Sequence, residues 1–288
     1  MKISIIITAY NVSAWIEQCI LSCINQTYKN IEIVIVEDCS TDNTWSIIEK
    51  LAQQDERIIP VRAKQNGGAG QSRRCGIEVS TGEYFLLLDG DDWLSEDFIE
   101  TLYKRAIQTN ADIVSGGITI LRENGAFSAE SYGEVITEDL DKVVKFWGEK
   151  TVFMNNKIIR KTLHDKVPYC TRRFVEDTPV IIPMLHYANS VAYTNNVGYF
   201  YRQNPSSLCH TATPFKWALF RALCCQDLIS FFKEHDNRVL ESLPLEKMYI
   251  KQLDILKQCN PTNEEIKMYQ NDWNEFTRNL IIKDINFS

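Results

Sequence analysis

Five short apolar runs dominate the first part of the chain: ISIIITA (3–9), IEIVIVED (31–38), RIIPVRA (57–63), EYFLLLD (83–89) and ADIVSGG (111–117). The segments between them carry apolar residues at helical spacing. Residues 13–26 place Ile16, Cys19, Ile20, Cys23 and Ile24 on one stripe. STDNTWSIIEKLAQQ offers Ser, Thr and Asp as caps ahead of Trp45, Ile48 and Leu51, and 69–80 and 95–109 also read as helices. Near-continuous apolar strands suit burial on both faces of a parallel sheet, and strand–helix alternation suits right-handed crossovers. An α/β fold follows, with a mostly parallel sheet flanked by helices. Pro60 marks its run as an edge or a strand end.

Beyond about residue 120 the rhythm changes. EDTPVIIPMLHYA (176–188) reads as a helix, and SVAYTNNVGYFYRQ (190–203) as two β-rich runs split by Asn195-Asn196 and Gly198, a hairpin signal. From Phe215 the pattern is helical: Trp217, Phe220, Leu223, Leu228 and Phe231–Phe232, then 245–259 and 263–282. The expected organisation is a domain over 1–212 and a C-terminal helical region over 213–288. Its Phe215, Trp217, Phe220, Phe231 and Phe232 lie near Lys216, Arg221 and Lys233. Peripheral membrane contact, oligomerisation and plain packing against the first domain are all open to such a pattern.

A net charge of −7 argues against a nucleic-acid partner. The nine cysteines form no framework and contain no C-x-x-C, the usage of a reducing cytosol. The N-terminal apolar run is short and lacks a small-x-small cleavage site, so it reads as a buried strand rather than a signal peptide. No run approaches the roughly 20 apolar residues that span a bilayer. The expected location is cytoplasmic, at most peripheral on the inner face of the membrane.

Ligands of open α/β sheets sit beyond the carboxyl ends of the strands. Three such ends carry unusual polar residues here: TAYN (8–11), VEDCSTDN (36–43) and LDGDDW (88–93). One carboxylate is enough to cap a helix, and LDGDDW has three. Carboxylates at i and i+2 across a turn can present oxygens to one hard cation, Mg²⁺ or Mn²⁺, shared with substrate phosphates. An EF-hand is excluded because Trp93 and Leu94 stand where an oxygen ligand and a glycine belong. No G-x-x-x-x-G-K-[ST] exists, and NGGAGQSRRCG (66–76) is not G-x-G-x-x-G. What survives is a metal–diphosphate site without a P-loop lysine.

TAYN, VEDCSTDNT, NGGAGQSRRCGI, YFLLLDGDDWL and VEDTP, in that order and spacing, resemble the blocks of inverting GT-A glycosyltransferases of family 2, of the bacterial surface-glycan type. The resemblance runs from residue 1 to about 205; the last 80 or so residues carry no recognised motif. It implies a Rossmann-like GT-A fold and a UDP-sugar donor. It further implies that Asp38 pairs with the uracil N3–H, that Ala9 and Tyr10 lie against the base, and that Asn66 and Arg73 lie near uracil and ribose. Glu37 stands where a second aspartate is common, and SRR (72–74) where Ala-Arg-Asn is usual, so Arg74 is the other candidate to point inward. Asp91 would be the direct metal ligand. Asp89, beside Gly90, would reach the ribose or the metal. Asp92 and Trp93 would face the acceptor side, Trp93 being equally readable as core. Arg202, with Ser206 or Ser207, would assist the diphosphate. Asp177 would be the base, with Glu176 its close alternative; opening a helix is the plainer role for both. Lys157 and His210 receive no role.

Breaking the anomeric C–O bond builds negative charge on UDP, which Mn²⁺ or Mg²⁺ stabilises. Inversion needs one displacement, with a base on the acceptor side. The expected reaction moves one hexose or N-acetylhexosamine from a UDP-sugar to a glycan or glycolipid acceptor such as lipooligosaccharide, capsule or O-antigen. A sugar-phosphate nucleotidyltransferase is the alternative, but TAYNVSAW lacks the basic, glycine-rich loop that class needs. A non-catalytic sugar-nucleotide scaffold is disfavoured by intact Asp89, Asp91 and Asp177.

Overall fold

A computed structural model describes residues 1–121, 127–130, 136–137, 143, 153–168, 174–175, 177–204, 207, 211–259 and 261–279. The strands are β1 (Ile3–Ala9), β2 (Ile31–Glu37), β3 (Ile58–Arg62), β4 (Tyr84–Asp89), β5 (Trp93–Leu94), β6 (Ile113–Leu121), β7 (Phe127–Glu130), β8 (Ile136–Thr137), β9 (Lys157–Arg160) and β10 (Val191–Arg202). The helices of the first part are α1 (Ile16–Ile24), α2 (Thr44–Ala52), α3 (Ala69–Val79), α4 (Phe98–Thr109) and α5 (Thr178–Tyr187). Those of the C-terminal part are α6 (Pro214–His235), α7 (Asn237–Ser242), α8 (Leu245–Gln258), α9 (Asn263–Met268) and α10 (Gln270–Arg278).

The strands form one sheet in the order β3-β2-β1-β4-β9-β6-β10-β5, with β7 on β6 and β8 on β10. The expected parallel pairing holds for β3-β2-β1-β4 and for β6 with β10. The short antiparallel β9 sits between those two groups, making the whole sheet mixed.

Period-two alternation sorts the apolar residues onto two faces. Ile3, Ile5, Ile7, Ile33, Ile35, Leu86 and Leu88 pack with α1, α2 and α4 through Ile16, Ile20, Ile48, Phe98 and Leu102. Ile6, Val34, Val36, Phe85 and Leu87 face the other way, against Ile77 of α3, Val180–Leu185 of α5 and the C-terminal helices. Leu219, Phe220, Leu223, Phe231 and Phe232 of α6, with Tyr249 and Phe276, belong to that second core. Gln226 ties the C-terminal helices together, donating to the Tyr249 hydroxyl at 3.0 Å and the Phe276 carbonyl at 3.1 Å. Phe215, Phe220, Phe231 and Phe232 are therefore buried within the chain, and their aromatic surface is spent on packing. Among the described residues no helix is long and apolar enough to cross a membrane.

Two local expectations are corrected. Residues 190–203 do not turn back as a hairpin; β10 runs as one strand parallel to β6, with irregular register between Tyr193 and Tyr199. Gly198 is there for space rather than for a turn. A Cβ on it would come within 2.3 Å of Ser95 Oγ and 2.6 Å of the Phe98 ring, and one on Gly116 within 2.4 Å of the same ring. Asn196 instead bonds Asp97 and Thr101 at the start of α4, both at 3.0 Å. The helix expected over 263–282 is divided at Tyr269 into α9 and α10.

Two stability tests follow. Gly198→Ala forces methyl against ring and should cost about 1–3 kcal/mol in urea unfolding. Glu32, buried in β2, accepts from Ser4, Thr81 and the Gly82 amide and pairs with Lys2. Burial alone would raise its pKa, but Lys2, Ser4 and Thr81 overcome that and hold it at about 2. A depressed carboxylate stabilises above its unfolded pKa, and that stability is lost as pH falls through the folded one. The thermal midpoint should therefore drop between about pH 4.5 and pH 2. Glu32→Gln should flatten that limb and cost about 1–3 kcal/mol at neutral pH.

Candidate active site

The carboxyl ends of β1, β2 and β4 lie on one edge of the sheet, with Ala9 opposite Glu37 and Thr8 opposite Asp89. The loops leaving β1 and β2 are held by two non-glycine residues in the left-handed region, Asn11 (φ 52°) and Cys39 (φ 61°). Asn11 locks them to each other: its amide donates to Ser40 Oγ at 3.0 Å and its Oδ1 accepts from the Thr41 amide at 2.8 Å. Tyr10, half exposed, stands at the rim, while Ala9 is buried beneath it. Glu37 is buried and accepts from the Ser40 amide, with Arg62 Nε 3.5 Å from its other oxygen. The longer side chain in place of the commoner aspartate thus shapes the loop rather than the cleft.

Asp38 is buried and receives the amides of Gly67 and Gly68, both at 2.8 Å, while Asn66 Nδ2 donates to its carbonyl at 3.0 Å. One carboxylate therefore fixes the start of α3. That orientation aims Arg73 inward, buried, and Arg74 outward, where it pairs with Glu78 at 2.8 Å. The Arg73 guanidinium bridges two carboxylates. Nη2 donates to Asp89 Oδ1 at 2.9 Å, and Nη1 donates to Asp177 Oδ1.

The three aspartates of LDGDDW are compensated unequally. Asp89 also accepts from Thr8 Oγ1 at 3.3 Å and from Asn155 Nδ2 at 2.9 Å. Burial would raise its pKa, but Arg73 and Asn155 hold it below the ordinary range. Asp92 is buried; Oδ2 accepts from the Tyr199 hydroxyl at 2.6 Å and Oδ1 from the Arg202 amide at 2.8 Å. Burial, then Asp89 and Asp91, push it well up. Asp91 is pushed up to about 6 by burial and then by Asp89. Gly90 lets the turn close: a Cβ there would lie 2.9 Å from the Thr8 carbonyl.

Arg202 reaches the same turn. Its Nε donates to the Asp91 carbonyl at 3.0 Å, its Nη2 to Gln18 at 2.9 Å, and its guanidinium lies 4.7 Å from the Trp93 ring centroid. Trp93 is partly buried and stacked on Phe200 at 5.2 Å. Asp177 stands at the head of α5, its carboxylate a fifth exposed; besides Arg73 it accepts from the Met154 amide at 3.3 Å. Burial raises its pKa against the opposing pull of Arg73. Lys157 is buried, donates to Asn156 Oδ1 at 2.7 Å, and is lowered by burial to about 7. Glu176, Ser206 and His210 lie outside the described residues.

The structure thus gathers Asp38, Asn66, Arg73, Asp89, Asp91, Asp92, Arg202 and Asp177 around one strand edge. Two participants escaped the sequence reading. Asn155, whose amide spans Asp89 Oδ2 and the Tyr199 hydroxyl, both at 2.9 Å, precedes Lys157 by two residues. Tyr199 opens the YFYR run. Neither has a signal beyond adjacency to a noted residue.

The donor set fits a divalent cation of the Mg²⁺ or Mn²⁺ kind. Asp91 is a partly buried carboxylate whose pKa is raised by burial and by Asp89 against the opposing pull of Asn204 and Arg202, a penalty that a cation beside it would relieve. Among the described residues no group of three or more His, Cys, Asp or Glu encloses a metal.

The sequence profile of Glycosyl transferase family 2 matches residues 4–171. The glycosyltransferase GlyG of Streptococcus pneumoniae serotype 4 is 29% identical over 274 residues, covering 91% of this chain and 89% of GlyG. The Escherichia coli protein WfaP, a UDP-Glc:alpha-D-GlcNAc-diphosphoundecaprenol beta-1,3-glucosyltransferase, is 45% identical over 91 residues, 32% of this chain and 36% of WfaP. The crystal structure of Staphylococcus aureus TarS 1–349 in complex with UDP-GlcNAc superposes with a TM-score of 0.70 at 19% identity, covering 97% of this chain and 81% of that one. The GT-A-like fold that the resemblance implied is therefore shared. The chain belongs to glycosyl transferase family 2 and is a glycosyltransferase.

Proposed function

We propose that this glycosyltransferase moves one hexose or N-acetylhexosamine from a UDP-sugar to a surface-glycan acceptor by a single inverting displacement with Asp177 as base. The observation that carries the reading is the Arg73 guanidinium held between Asp89 and Asp177. It holds the expected donor-side carboxylate and the candidate base on two nitrogens of one planar group. The names of WfaP and of the TarS complex supply the donor class and, for WfaP, a lipid-linked glycan acceptor.

Asp38, fixed by the Gly67 and Gly68 amides, accepts the uracil imide proton, with Tyr10 against the base and Asn66 beside it. Asp91, with Asp89 beside it, would hold Mn²⁺ or Mg²⁺, which would supply charge stabilisation for the departing diphosphate. Arg202 adds positive charge on the same side; Ser206, expected to assist it, lies outside the described residues. Asp177 takes the proton from the attacking acceptor hydroxyl, and its raised pKa makes it the stronger base. Glu176 is the neighbouring carboxylate. Trp93, stacked on Phe200, offers a platform on the acceptor side, whereas Asp92, expected there too, is buried on Tyr199 and the Arg202 amide and holds the turn instead. Residues 1–212 carry this machinery and 213–288 support it from behind. The cysteines of the described residues are all free thiols, as a cytoplasmic enzyme working at the inner membrane face would have them. With Phe215, Phe220, Phe231 and Phe232 buried, a membrane or self-association surface would draw on the partly exposed Trp217 and on other residues.

UDP release from UDP-Glc, UDP-Gal, UDP-GlcNAc and UDP-GalNAc, with Mn²⁺ and with EDTA, tests the donor and metal assignments together. Release from at least one donor that EDTA abolishes is expected, and release indifferent to EDTA would sink the metal reading. Asp91→Asn should remove the Mn²⁺ stimulation while leaving the thermal midpoint near that of the unaltered chain. Asp177→Asn should lower kcat about 10²–10⁴-fold with UDP affinity retained, as measured by calorimetry.

A further inference from the structure

Asp177 stands at the head of α5, and Phe174, three residues before it, packs against the C-terminal helices. Phe174 is 3% exposed. Its ring meets Trp217 at 4.5 Å between centroids and Phe220 at 5.7 Å, both edge-on, and Lys216 Nζ lies 4.4 Å from the ring centroid. All three partners stand in the first two turns of α6. Val175 follows with φ of 54°. For a β-branched residue this left-handed conformation is an outlier, which persists only where the surroundings over-determine it.

The chain is pinned on both sides of that strained residue. Upstream, Phe174 is seated on α6. Downstream, the Asp177 carboxylate meets Arg73 and the Met154 amide, and its carbonyl accepts from Val180 at 3.0 Å and Ile181 at 2.9 Å. The α5 residues Val180–Leu185 are buried in the same core as Leu219 and Leu223 of α6. The segment before Asp177 and the helix after it therefore rest on one support.

We propose that the first two turns of α6 are the positioning element of the base, with Phe174 as the positioning residue through which they act. The ring, clamped by Lys216, Trp217 and Phe220, holds the left-handed turn at Val175 that carries Asp177 to Arg73. This gives the motif-free C-terminal region a part in the reaction. It rests on the reading of Asp177 as base.

The test uses the full chain and its Phe174→Leu, Trp217→Ala, Trp217→Phe and Asp177→Asn variants. UDP release from the four UDP-sugars above is measured in Mn²⁺, with UDP affinity by calorimetry and the thermal midpoint alongside. Because misplacing a reacting group by 1 Å can cost on the order of 100-fold, Phe174→Leu and Trp217→Ala should lower kcat roughly 10- to 100-fold. Donor KM and UDP affinity should stay within about twofold, the signature of a defect confined to the chemical step. Trp217→Phe, which keeps an aromatic edge against Phe174, should recover most of the lost kcat. Unaltered kcat in Phe174→Leu and Trp217→Ala beside an inactive Asp177→Asn overturns the positioning role and leaves the base standing. Unaltered kcat in Asp177→Asn overturns the base reading itself. Parallel losses of kcat and UDP affinity, in Trp217→Phe as much as in Trp217→Ala, overturn the proposal by marking the seat as general support of the fold. Absence of release from every donor by the unaltered chain overturns the UDP-sugar reading and this inference with it.

Discussion

The Arg73 guanidinium, buried between Asp89 and Asp177, is the interaction on which the rest of the site depends. A planar fork with fixed donors can hold two carboxylates at once, which a lysine could not do with the same geometry. Taking these charges out of water is expensive, and only close contact on both arms makes the arrangement tolerable. The position of Arg73 is itself a consequence of Asp38, which anchors the Gly67 and Gly68 amides and so sets the direction of α3. A residue expected to read the nucleotide base thereby also sets where the central cation stands.

The crowding of Asp89, Asp91 and Asp92 is resolved by giving each a different environment. Asp89 has Arg73 and the Asn155 amide. Asp92 is buried on the Tyr199 hydroxyl and the Arg202 amide, where it stiffens the turn. Asp91 has Asn204 and Arg202 near it, yet burial and Asp89 still leave its pKa raised. Three crowded like charges are thus given three different environments within one turn.

Much of the fold was legible because the apolar runs of β1, β2 and β4 have no other way to be buried. The helices α1 to α4 followed from stripe and cap. The hairpin expected near Asn195–Asn196 failed because its glycine answers to a distant residue: Gly198 and Gly116 both make room for the Phe98 ring. A turn signal read locally cannot distinguish a bend from a close approach. In the site, Asp89 and Asp91 were nameable from strand-end chemistry and Asp38 and Arg73 through the family resemblance, whereas Asn155 and Tyr199 were not. Their contribution lies in hydrogen bonds to carboxylates 66 and 107 residues away in sequence.

The sequence by itself determined the doubly covered sheet, the edge at which ligands gather, and the family to which the chain belongs. Alternation, apolar runs and ordered motifs are properties of short stretches and survive being read one at a time. The tertiary structure alone decided which arginine of SRR points inward and that one guanidinium joins Asp89 to Asp177. It also decided that the C-terminal aromatics are buried, with Phe174 seated among them. Those facts depend on where α3 and α6 lie against the sheet. Side chains 104 residues apart meet only once both faces have been packed.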